Sequence, residues 1–173
     1  MSLPDIPDEE LDQMISQSLE SVFKTMLGFG LEYRSSKDFS GVKAPVPDLG
    51  GEEMSMVYVG SVGFVGKVHG VVYLYMKSKF VERSAAKITG LDKDGLDYEI
   101  TSDVCGELTN VFAGSFKNGL ADRGYSSVLT IPTVLSGDEL YISTMGVVKH
   151  HRLNFFADGD EVVADLVLAD PKD

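Results

Sequence analysis

The chain has 173 residues, enough for one domain with a substantial core and too few for two comfortable ones. Its formal net charge of −12 sets it against nucleic acid and against an anionic membrane face, both of which would repel it. One cysteine, Cys105, excludes an intramolecular disulfide framework and suits a reducing compartment.

The opening segment lacks the basic and apolar regions of a signal peptide, and no apolar run is long enough to span a bilayer. The chain reads as a cytoplasmic protein. After an acidic start, Leu11, Met14, Ile15, Leu19, Val22, Phe23 and Met26 keep helical spacing. Asp8, Glu9 and Glu10 suit the start of that helix and Gly28 its end. Residues 34–51, rich in Ser, Pro and Gly, read as loop with room for one short strand. MSMVYVGSVGFVGKVHGVVYLYM (54–76) reads as a β-hairpin turning at Gly66-Lys67.

SKFVERSAAKITG then reads as a short helix closed by Gly90. After the turn LDKDG the spacing predicts a long helix from about Asp97 to Leu120. YSSVLTIPTVLSG reads as an extended segment with Pro132 at an edge or a bulge. A second hairpin, MGVVKHHRLNFF with EVVADLVLA, turns through Ala157-Asp158-Gly159-Asp160. Blocks of helices and hairpins, rather than strict β-α-β alternation, point to an α+β layer sandwich: long helices on a mostly antiparallel sheet.

The long helix carries the residues that need explaining. Val104, Leu108, Val111 and Ser115, extended by Cys105, Phe112 and Phe116, form a stripe expected to face the sheet. Asp103, Glu107, Asn110, Gly114 and Lys117 form the opposite stripe. Glycine inside a helix costs about 1 kcal/mol relative to alanine, so Gly114 suggests close approach of another backbone. Glu107 and Asn110 are neighbours at i,i+3 and can reach one object lying on the helix. The carboxylate can pair with a cation, and the amide can hold a water molecule in a chosen direction. In phosphoryl hydrolysis such positioning does much of the catalytic work. The same stripe also reads as an ordinary solvated face.

ELTNVFAGSFK, preceded by Asp103 and Gly106, resembles the signature helix of the CheC/CheX/FliY family of chemotaxis phosphatases. The likeness extends to the glycine-punctuated hairpin before it and to IPTVLSG after it, over roughly residues 54–168. A single intact Glu-x-x-Asn makes the chain most similar to the CheX branch. The resemblance implies hydrolysis of the aspartyl phosphate of a phosphorylated, CheY-like response regulator. It implies that Asn110 orients the attacking water and that Glu107 pairs with a lysine beside the regulator's phosphorylation pocket. Asp103, Gly114 and Lys117 would line the contact. Mg²⁺ would belong to the regulator, so the chain would need no cofactor or metal ligands of its own, and a homodimer joined through sheet edges is expected. The alternative is a non-catalytic dimeric module that binds a receiver without hydrolysis.

Other motifs read blandly. Val22-Phe23 aligned on Val111-Phe112 sets Ser18 and Ser21 opposite Glu107 and Asn110, a faint internal echo that a degenerate duplication or a chance match of two residues would each explain. With serines in place of a second motif, it argues for one site per chain. Where the family commonly has paired prolines, this chain has Ile131-Pro132. His150 and His151 are adjacent, so in a strand they point to opposite faces and cannot easily share an ion. Asp92-Lys-Asp-Gly has neither the glycine nor the glutamate of a calcium loop where they are needed.

Overall fold

The computed structural model describes residues 5–49 and 56–170. The first helix, α1 (Asp8–Val22), starts on Pro7 with three acidic residues in its first turn, where the helix dipole favours them. It runs on into a π-helical turn, Phe23–Leu27, and stops at Gly28, whose φ of 67° is a left-handed conformation suited to glycine. β1 (Glu32–Asp38) follows as an edge strand with every residue exposed. Its composition, EYRSSKD, carries no apolar alternation, so the sequence reads there as loop with only a hint of strand.

The first hairpin is β2 (Val57–Gly66) and β3 (His69–Lys77); its expected beginning at Met54 lies outside the described residues. α2 (Ser78–Thr89) ends on Gly90 at φ 72°. α3 (Tyr98–Asp122) is capped by Asp97, whose carboxylate accepts from the Ile100 amide at 2.9 Å. The segment containing Pro132 forms two short strands, β4 (Ser127–Leu129) and β5 (Thr133–Gly137), both antiparallel to β2. Thr130 bridges the break: its N–H donates to the Gly63 carbonyl and its hydroxyl accepts from the Gly63 N–H. Pro132, with no N–H to offer, falls in the gap. The second hairpin, β6 (Val147–Ala157) and β7 (Asp160–Ala169), turns on Asp158-Gly159, both at positive φ, as a two-residue turn requires.

The order β1-β6-β7-β3-β2-β4, with β5 also on β2, makes one seven-stranded antiparallel sheet. The three helices cover one face around a core that includes Phe23, Phe64, Phe80, Phe112, Phe116 and Phe155. Residues from 39–49 and 138–146 cover part of the other, packing Leu49, Leu140 and Ile142 on Val59, Tyr75 and Val163. This is the expected α+β layer sandwich. Beneath those loops lies a buried charge network. Asp165 accepts from Arg152 Nε and Nη2, each at 2.7 Å, pairs with His150 Nε2 at 2.9 Å, and accepts from the Tyr75 hydroxyl at 3.2 Å. Burial alone would raise the Asp165 pKa, but the Arg152 and His150 contacts outweigh it and hold the carboxyl below its usual value.

Candidate functional site

α3 is seated more deeply than its apolar pattern suggests, and on a rotated face. Thr101, Val104, Cys105, Leu108, Thr109, Phe112, Ala113, Phe116 and Leu120 are buried. Val111, expected inward, is 37 % exposed, and Ser115 is half-buried. The cause is a slot in β2. A Cβ placed on Gly60 would lie 1.9 Å from Thr109 Oγ1, so only glycine lets the helix come this close. Thr109 fits there because its hydroxyl donates to the Cys105 carbonyl at 2.7 Å, leaving no orphan in the core. Turning the helix to bury Thr109 and Ala113 swings Val111 outward. Gly60, with Gly63 and Gly70, is legible in the sequence as a place of twist, bulge or close backbone approach, and the close approach is what the structure uses at Gly60. Thr109 as its partner is not singled out by sequence patterning.

The rotation leaves the polar stripe outward. Asp103 and Glu107 are exposed, while Asn110, Gly114 and Lys117 are half-buried along the same face. Their span, Asp103 to Lys117, is about 21 Å at 1.5 Å per residue. Among the described residues, no side-chain hydrogen bond or ion pair engages Glu107 or Asn110. Among the described residues, no atom outside the helix's own neighbouring backbone lies within 4 Å of a Cβ built on Gly114, so packing there does not call for glycine. Val111 adds an apolar surface between the polar heads. Beside them runs a shallow groove lined by Ser102, Asp103, Gly106, Glu107, Pro132 and Val134. Its far wall leads to Ile131, which is 87 % exposed.

The expected residues therefore share one open surface beside a shallow groove. It can present a carboxylate and an amide to a pocket on another molecule. Two hollows on the opposite face of the sheet, under the 39–49 and 138–146 loops, lie away from Glu107 and Asn110. α1 offers no equivalent surface: Ser18, opposite Glu107 in the internal echo, is buried. His150 and His151 point to opposite faces, as their adjacency requires, the first to Asp165 and the second to α1.

The model of the family described as "Chemotaxis phosphatase CheX" matches residues 58–155, more than half of the chain. The chain belongs to the CheX family. The matched span holds the β2-β3 hairpin, all of α3 and most of β6. Over 150 residues the chain is 26 % identical to the CheY-P phosphatase CheX of Thermotoga maritima, covering 86 % of this chain and 91 % of that protein. A CheC-like superfamily protein from Shewanella sp. PV-4 superposes with a TM-score of 0.75 at 23 % identity, over 95 % of this chain and all of the other. The CheX of the CheX-CheY-BeF3-Mg²⁺ complex from Borrelia burgdorferi superposes at 0.70 and 20 % identity, over 92 % and 98 %. At those identities the two structures establish the fold. No described helix is long and apolar enough to cross a membrane.

Proposed function

We propose that this protein removes the phosphoryl group from the aspartyl phosphate of a CheY-like response regulator, with α3 as the docking and catalytic element. The carrying observation is the outward-facing, unengaged pair of exposed Glu107 and half-buried Asn110, beside a glycine whose Cβ would meet no other part of the described fold. Family membership and the T. maritima relative's description as a CheY-P phosphatase support the reading.

On this reading Glu107 pairs with a lysine at the rim of the receiver's phosphorylation pocket and sets the register of docking. The Asn110 amide enters the pocket and hydrogen-bonds a water molecule in line with the scissile P–O bond. The water oxygen bonds to phosphorus, the aspartate oxygen leaves as carboxylate, and the water's proton ends on inorganic phosphate. An amide is too weak a base to take that proton, so its contribution is orientation. Asp103, Lys117 and Val111 widen the contact, and Gly114 lets the partner's backbone come near. Mg²⁺ belongs to the regulator; this chain supplies no ligand to it.

The same proposal includes a cytoplasmic homodimer. β1 ends the sheet with seven exposed residues, which is compatible with pairing at that edge. The test is loss of phosphate from phosphorylated receivers of the same organism. Acceleration by wild type and none by Asn110→Ala supports it. Tight binding to a phosphate-mimic receiver without turnover would instead make the chain a non-catalytic module.

A further inference from the structure

Where α1, β1 and β6 meet, three side chains from distant parts of the chain converge: Asp8, Asp38 and His151. One ligand atom from each lies within 4.8 Å of the others. His151 is 3 % exposed, and its Nε2 has no hydrogen-bond partner. Its other ring nitrogen, Nδ1, contacts Asp12 Oδ1 at 3.1 Å. A carboxylate at Nδ1 favours the tautomer with the proton there, which turns the Nε2 lone pair toward Asp8 Oδ1, 3.6 Å away. Two acceptors then face each other beside a buried ring, an arrangement that a metal ion between them, or a proton on Nε2, resolves.

The local charge points the same way. Asp8, Asp12 and Asp38 are countered by Lys149, whose ammonium contacts Asp8 Oδ1. Three carboxylates against one ammonium leave two negative charges when the imidazole is neutral. Asp38 also accepts from the Ser40 N–H at 2.7 Å, which helps to hold its carboxylate in place.

We propose that Asp8, Asp38 and His151 form a binding site for a divalent transition-metal ion, with Asp12 orienting His151 from behind. An imidazole nitrogen with two carboxylates suits Zn²⁺ better than Mg²⁺ or Ca²⁺, which prefer oxygen alone. Carboxylate–histidine–metal relays of this kind are the usual way a ligating ring is fixed. Ligand atoms around such an ion sit about 3–3.5 Å apart at bond lengths of about 2.1 Å, so the exposed Asp8 and Asp38 side chains must close in slightly. Lys149, 22 % exposed at its side chain, is displaced outward when the ion enters. The site joins the first turn of α1 to the two outer strands and lies on different elements from Glu107 and Asn110. Its role is to clamp the helix to the sheet.

Isothermal titration of chelator-treated protein with ZnCl₂, paired with thermal melts, tests this. The expected result is one ion per chain and a melting temperature higher by about 5–10 °C at a hundred-fold excess over the dissociation constant. Asp38→Asn, at an exposed position that the fold tolerates, weakens binding at least ten-fold. Asp12→Asn weakens it by about ten-fold or more through the ring. Lys149→Gln, which removes the competing ammonium, tightens it. Absence of saturable binding overturns the proposal, as does equal zinc affinity in wild type and Asp38→Asn. A melt that responds to pH but not to zinc would show that the corner holds a proton only.

Discussion

Gly114 separates what the fold requires from what a partner requires. It lies inside α3, and among the described residues a Cβ built on it meets no atom within 4 Å outside the helix's own neighbouring backbone, so alanine fits without displacing anything. Gly114→Ala should stabilise the protein by about 0.5–1 kcal/mol, the ordinary helical preference for alanine. For a chain of this size that is a rise in melting temperature of about 1–4 °C. Leucine has nearly the same helix propensity, so Gly114→Leu should keep most of the gain. Docking behaves oppositely. A leucine projecting into a close backbone contact costs about 1–3 kcal/mol, the range for overfilling a packed site. That is roughly a five- to 150-fold rise in KM for the phosphorylated receiver. Urea denaturation followed by circular dichroism gives the first quantity and steady-state phosphate release the second. If Gly114→Leu unfolds more easily than wild type, the glycine serves the fold. If its KM is unchanged, the α3 face is not where the regulator docks.

Other consequences are as specific. Gly60→Ala drives a methyl into Thr109 and should destabilise by about 1–3 kcal/mol or more, with activity falling because α3 is pushed off β2; Thr109→Ala should restore part of the loss, and wild-type stability in urea would refute the packing account. Asp165→Asn should cost about 3–5 kcal/mol at pH 7, because it leaves Arg152 buried without its counter-charge. Since the folded Asp165 pKa is depressed, its contribution is complete above the unfolded value of about 3.9 and is lost as pH falls through the folded one, so acid unfolding below about pH 4 should be blunted in the variant. Burial pushes the Cys105 thiol up to about 12, so a disulfide reagent at pH 8 should titrate no thiol in the native protein and one in denaturant.

The sequence reveals the punctuation of this fold better than its orientation. Asp97, Gly28, Gly90 and Asp158-Gly159 mark ends and turns because each has a local reason to sit there, a cap or a positive φ, and the structure uses them so. The polar stripe on α3 was legible for the same reason: spacing along one helix is local information. Val111 was not. Its direction depends on Gly60, about fifty residues away, which opens the slot that Thr109 fills. β1 was only dimly visible, because an all-exposed edge strand carries no burial pattern to read. The Asp8, Asp38 and His151 corner is invisible in sequence altogether, since it is assembled by the pairing of β1 with β6 and by α1 lying across them.

The measurement that bears most directly on the account is a paired one on Asn110→Ala: decay of the phosphorylated receiver, and affinity for the same receiver carrying a beryllofluoride mimic. If the amide orients the attacking water, turnover should fall by about a hundred-fold or more. Affinity should stay within about three-fold, because Glu107 and the rest of the α3 face remain. A variant that dephosphorylates the receiver as fast as wild type would contradict the proposed chemistry.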